Sequence, residues 1–193
     1  MCVRTSAVRK RTAPISFALA ALVAVVISAG CATQSNPSST RSISVRRGLA
    51  NSLLHDPKVS LATFHVSGWH DRATALDNMR QAATGRSSRR SSYQRAPGGS
   101  TYLDNRMLRA MKGLIRDGYS FRVTELAGGS HSSKSRHYAG AAFDVDYING
   151  IKVGWGNPYH RRFMKRCRQL GASDVRGPGD RGHRSHVHVE WPR

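Results

Sequence analysis

Imidazoles and a carboxylate gather in two short stretches of this 193-residue chain. The first is Ser135-Arg136-His137-Tyr138-Ala139-Gly140-Ala141-Ala142-Phe143-Asp144, and the second, near the C-terminus, is His183-Arg184-Ser185-His186-Val187-His188. Histidine and aspartate are ligand types that a borderline-soft ion such as zinc accepts. Three protein ligands leave a fourth tetrahedral position for water, the arrangement of catalytic rather than structural zinc. A stray His-x-His is ordinarily surface or core decoration, but together with the upstream stretch it points to a metal site.

The surrounding pattern says which elements must position these groups. His186 to Trp191 alternates, so on a strand His186 and His188 point to one face. Ala142 to Ile148 and Ile151 to Trp155 flank Asn149-Gly150, a turn pair that accepts positive φ at both positions, which predicts a hairpin with Asp144 on its first arm. Gly140 lets the chain turn between His137 and that strand. Val59 to Val66 and Phe121 to Glu125 are further strands. Asp71 is read as the cap of a helix carrying Leu76, Met79 and Ala83, ending at Gly85. Thr101 and Asp104 form a capping box before a second helix, with Leu103, Met107, Ala110 and Leu114 on one face and Gly118 at its end. Asn157-Pro158 starts a third, striped by Tyr159, Phe163, Cys167 and Leu170 and stopped by Gly171. Cys167 on that stripe reads as a small buried side chain, not a ligand. Arg86 to Ser100, rich in Ser, Arg, Gly and Pro, is a long loop of the kind that often carries function.

The N-terminus reads as a targeting segment. Arg4, Arg9, Lys10 and Arg11 precede an apolar run from Ile15 to Ile27, and Ser28-Ala29-Gly30 then supplies small residues. Cys31 follows, as in a lipobox, where the cysteine becomes the lipidated first residue of the mature chain; ordinary cleavage nearby is the alternative. Residues 1–30 are thus a lipoprotein signal peptide, 31–44 a flexible tether rich in Ser, Thr, Asn and Pro, and 45–193 one domain. Loss of the leader removes four of the 31 basic residues and none of the 11 acids, leaving a net charge of +16. Such a field favours polyanions, yet an exported chain meets anionic glycans and lipids first, and no specific nucleic acid is expected. With Cys31 lipidated, Cys167 has no partner and no disulfide framework exists.

The two stretches resemble those of the zinc D-alanyl-D-alanine carboxypeptidase and murein endopeptidase group, whose fold is shared with hedgehog signalling domains. The group's pattern is Ser-x-His-x-x-Gly-x-Ala-x-Asp followed by a late His-x-His. Here Ser135, His137, Gly140, Ala142 and Asp144 fill the first and His186-x-His188 the second, over about the last 90 residues. The resemblance implies that His137, Asp144 and His188 bind one zinc per chain. It implies an α+β fold with a small antiparallel sheet carrying the site, flanked by helices. It also implies hydrolysis of peptide bonds in peptidoglycan, in stem peptides or cross-links that contain D-amino acids. Many members place a glutamate three residues before the last zinc histidine as general base, where this chain has Ser185. The base is therefore expected to be His186, with His183 next.

Other residues have open roles. Asp146 and Glu190 alternate onto the faces of Asp144 and His188, either orienting ligand histidines or solvated. Arg122 and Ser135 are the substrate-side candidates, Arg122 as a cation for a substrate carboxylate or simply a surface arginine. His131 reads as a loop residue, and His55, His65, His70 and His160 show no grouping. The expected location is the cell envelope, lipid-anchored; Ala32 after Cys31 points to the periplasmic face of the outer membrane in a Gram-negative cell. A rival reading is a zinc-holding binding module that has lost hydrolysis.

Overall fold

Alternation decides which side chains meet the helices and which form the site. In the computed structural model, which describes residues 37–192 and Met1, the strand Ala142–Ile148 turns Phe143 and Val145 into the hydrophobic core and Asp144 to the other face. Val187–Glu190 does the same with Val187 and Val189 inward and His188 outward. A one-residue slip of either strand would exchange core for site, so the register is strongly fixed.

In chain order the elements are α1 (Pro37–Leu54), β1 (Val59–Leu61), α2 (Ala75–Ala83), β2 (Ser88–Arg89), β3 (Ser100–Thr101), α3 (Asn105–Arg116), β4 (Phe121–Glu125), β5 (Ala142–Ile148), β6 (Ile151–Lys152), α4 (His160–Gln169), β7 (Asp174–Arg176) and β8 (Val187–Glu190). A 3-10 turn covers His137–Ala139. The main sheet runs β1-β4-β5-β8-β7, with β6 paired to β5, while β2 and β3 form a separate ribbon. The α+β class holds, but the sheet is mixed: β1 lies parallel to β4 and the other pairs are antiparallel. Asn149 and Gly150 take φ of 51° and 77° at the β5–β6 turn, as that hairpin requires.

Several local expectations shift. The leader and Cys31 lie outside the described residues. Of the expected tether, residues 37–44 form the first turns of α1, because Ile43, Arg46, Ala50 and Leu53 recur at helical spacing and the last three are buried. Thr74, not Asp71, caps α2, accepting from the Asp77 amide. Asp104 alone caps α3, through the Arg106 amide. The strand expected over Val59 to Val66 ends at Leu61, and β6 ends at Lys152, short of Trp155. Leu103, Met107, Ala110 and Leu114 are buried together as the spacing predicts. Cys167 is fully buried, and burial pushes its thiol up, away from metal-ligand behaviour. Among the described residues no helix is long and apolar enough to cross a membrane.

Candidate metal centre

β4, β5, β8 and β7 place Glu125, Asp144, His188 and Arg176 in one row, each opposite the next. Glu125 joins that row through a bulge. Val123 pairs with Val145 and Glu125 with Asp144, so two steps along β4 match one along β5. The phase shift turns Glu125 from the core side to the side of Asp144, a familiar use of bulges beside functional sites.

His137 arrives from the 3-10 turn and is fully buried. Its Nδ1 donates to the Leu126 carbonyl at 2.7 Å, which leaves Nε2 with a free lone pair. His188 faces a carboxylate at each nitrogen, Nε2 on Glu190 Oε2 at 3.1 Å and Nδ1 on Asp144; burial opposes its charge, but Asp144 and then Glu190 raise its pKa, and a metal would take the place of the Nδ1 proton. These two nitrogens and Asp144 Oδ1 converge. His137 Nε2 lies 3.2 Å from His188 Nδ1 and 3.3 Å from Asp144 Oδ1, and His188 Nδ1 lies 2.8 Å from Asp144 Oδ1. Ligand atoms held about 2.1 Å from a tetrahedral zinc stand about 3.4 Å apart, so the triangle is close to the required size. Burial opposes ionisation of Asp144, but the two imidazoles beside it hold its carboxyl well below the usual range. Gly140 ends the turn at φ 68°, and a Cβ there would stand 2.3 Å from the Tyr102 carbonyl oxygen, so a glycine is required.

His131 belongs to the cluster as well. With His137 and Asp144 it forms a group whose ligand atoms lie within 4.8 Å of one another and could hold a metal ion. Its ring, however, stacks on His137 with centroids 4.0 Å apart and planes 9° from parallel. The lone pairs of two stacked parallel rings lie in separate planes and do not aim at one point. His131 Nε2 is also in hydrogen-bond contact with the Gly128 carbonyl at 3.0 Å. The tilted His188 ring, 54° from His137, is the better third donor, and His131 supports His137 from its face.

The other expected site residues divide. His186 and His183 stand at the mouth, their rings 4.9 Å apart, and His183 lies 5.8 Å from the His188 ring. Burial depresses the His186 pKa, which favours the neutral imidazole. The Ser135 hydroxyl accepts from the His137 amide at 3.3 Å, which makes it a brace of the turn, and it lines the mouth with Lys134 and His183. Arg122 is engaged elsewhere: its guanidinium grips Asp146 with two hydrogen bonds and lies over the Tyr147 ring at 4.5 Å. It does not line the cavity beside Asp144, because the intervening Asp146 already satisfies it. Of the two open carboxylates, Glu190 holds the His188 ring and Asp146 pairs with Arg122.

Comparison with known proteins returns no match among family models, curated proteins or solved structures. The functional reading therefore rests on the residues themselves.

One group escaped the sequence reading. His65, fully buried, has Nδ1 2.8 and 3.0 Å from the two Glu125 oxygens and Nε2 2.9 Å from Asp71 Oδ1. Burial alone would depress its pKa, but Glu125 and then Asp71 outweigh burial and raise it to about 9. Burial pushes Glu125 up against the pull of His65. His65 and Asp71 come from the β1–α2 loop, and Ser91 from the Arg86 to Ser100 loop accepts from the Gly129 amide at 3.0 Å. Both loops are thereby fastened to the strand end that presents Leu126. Together they enclose a cavity of about 300 Å³ lined on one side by Asp144, His131 and His186 and on the other by Val66, Ser67, Tyr93 and Gln94. The only trace in the sequence was an acid at the end of a strand, with no fixed spacing to His65 or Asp71.

Proposed function

We propose that this chain is a zinc-dependent peptidase of the cell envelope that hydrolyses peptide bonds in peptidoglycan. The observation that carries the reading is the convergence of His137 Nε2, Asp144 Oδ1 and His188 Nδ1, each imidazole with its other nitrogen already occupied. Two imidazoles and one carboxylate suit zinc and leave a fourth position open. Zinc held there would supply a Lewis acid and a water of lowered pKa. The chain's own residues do the rest. Leu126 and Glu190 fix the ligand tautomers, and the cavity wall limits access of bulk water. His186 at the mouth takes a proton from water in the cavity and returns it to the leaving amine nitrogen. The preceding signal-like segment and Cys31 support export and lipid anchoring, facing the periplasm in a Gram-negative cell.

The test uses the mature protein from Cys31 onward. Elemental analysis should find close to one zinc per chain, and digestion of purified sacculi should release peptides identifiable by mass. Chelation should stop the release and added zinc restore it. His186→Ala should keep the zinc and lower turnover by about two to four orders of magnitude. Zinc at full occupancy without any peptide release would favour the catalytically silent module, which Ser185 in the glutamate's place keeps in contention. Absence of zinc after purification in zinc-containing medium would sink both.

A further inference from the structure

The wall facing the metal centre has an unusual surface. Phe64, Val66 and Trp69 are 47%, 72% and 52% exposed within one short loop. Large apolar side chains gathered at a cavity rim commonly mark a binding site. The loop is held in place: His65 between them is fully buried and fastened to Glu125 and Asp71, while a turn joins the Gly68 amide to the His65 carbonyl at 2.8 Å. Trp69 stacks on Tyr93 with centroids 5.0 Å apart and planes 25° from parallel. The Tyr93 hydroxyl is 3.0 Å from Ser67 Oγ. Gln94, the next residue, holds φ at 51° at a turn closed by the Ala96 amide on the Tyr93 carbonyl. Positive φ is uncommon for a glutamine, and such strain collects where a side chain must be aimed. Gln94 lines the cavity with Tyr93, Ser67 and Val66.

We infer that the Trp69–Tyr93 stack, with Ser67 and Gln94 beside it, is a subsite for the amino-sugar chain of peptidoglycan, so that the enzyme acts on peptides still attached to glycan. The inference rests on the peptidase reading for its substrate, but its geometry is independent of the metal. A pyranose ring has an apolar C–H face rimmed by hydroxyl and amide groups. An aromatic platform bordered by a hydroxyl and a carboxamide complements it, the ring covering the apolar face and the polar groups taking the rim. A lipid surface would call for an unbroken apolar patch, whereas here Ser67 and Gln94 interrupt it. Because Ser67, Tyr93 and Gln94 line one cavity with Asp144, His131 and His186, a substrate molecule lying on the stack can reach the metal centre.

Peptide-free glycan strands of alternating N-acetylglucosamine and N-acetylmuramic acid, titrated calorimetrically into the zinc-loaded mature protein, should bind saturably. Trp69→Ala should weaken that binding about tenfold, the worth of one aromatic contact, and Trp69→Phe should restore most of it. In Trp69→Ala the ratio of the rate on intact sacculi to the rate on glycan-free peptide should fall by a similar factor with zinc content unchanged. Equal binding by the parent and Trp69→Ala, or no saturable binding by the parent, overturns the subsite. Strand binding without any peptide release supports the subsite while removing the peptidase reading. Peptide release with the rate ratio unmoved removes the subsite alone.

Discussion

Two histidine–carboxylate clusters lie beside the β4–β5 ladder, built from the same residue types to opposite ends. At the His137 cluster two imidazoles share one carboxylate, and each imidazole has its outer nitrogen taken by Leu126 or Glu190. The inner nitrogens converge, and each would give its lone pair to a bound metal. At the His65 cluster one imidazole sits between two carboxylates, and both of its nitrogens donate. No lone pair is left over; the group is a cation fastening two loops. His188 also sits between two carboxylates, Asp144 and Glu190, so what sets the first cluster apart is His137, a second imidazole on Asp144 whose outer nitrogen is spent on a carbonyl.

The sharpest way to break this contrast is to remove one carboxylate from each side. Asp144→Ala should abolish zinc binding and with it peptide release, read by elemental analysis and sacculus digestion, while Asp71→Ala should keep the metal. Glu125→Ala should leave an under-compensated buried cation and cost about 3–5 kcal/mol of stability in urea titrations, with zinc still bound at full occupancy. Loss of zinc with little loss of stability would mean that Glu125 belongs to the metal centre instead. Glu190→Ala should weaken zinc about ten- to a hundredfold, as expected when a ligand histidine loses its orienting carboxylate, in competition with a coloured chelator.

The smallest effect is a pH dependence. The folded state holds the His65 proton more tightly than the unfolded state, with a pKa raised from 6.5 to about 9. The clamp's stabilisation is therefore fully present below about pH 6.5 and is lost as pH rises through about 9. The difference in melting temperature between the parent and His65→Gln should be largest just below pH 6.5 and shrink as pH rises across that window. A difference that stays flat to pH 10 would show that His65 is neutral in the folded protein.

What the sequence made legible follows from how local the signals are. His137, Asp144 and His188 were readable because a turn, a hairpin and an alternating strand each announce themselves within a few residues. Helix faces such as Leu103, Met107, Ala110 and Leu114 were readable for the same reason. The His65 clamp was not, since its partners lie 6 and 60 residues away and Glu125 reaches the site only through the bulge at Thr124, which simple alternation does not announce. The start of α1 was hidden by serines and threonine that look like a tether but face solvent on a helix whose other side is buried. Arg122 and Asp146 each looked available alone; only the fold shows that they occupy one another.

The strict division of β5 and β8 into a core-facing and a site-facing set has an evolutionary consequence. Phe143, Val145, Val187 and Val189 answer to the helices, while Asp144, His188 and Glu190 answer to the cavity. On the proposed function, drift in substrate preference would proceed on the loops beyond the second set without repacking the first or disturbing the metal centre. A laboratory library confined to Val66, Ser67, Trp69, Gln94 and Ser130 would therefore sample new specificities on a scaffold whose folding those positions barely touch.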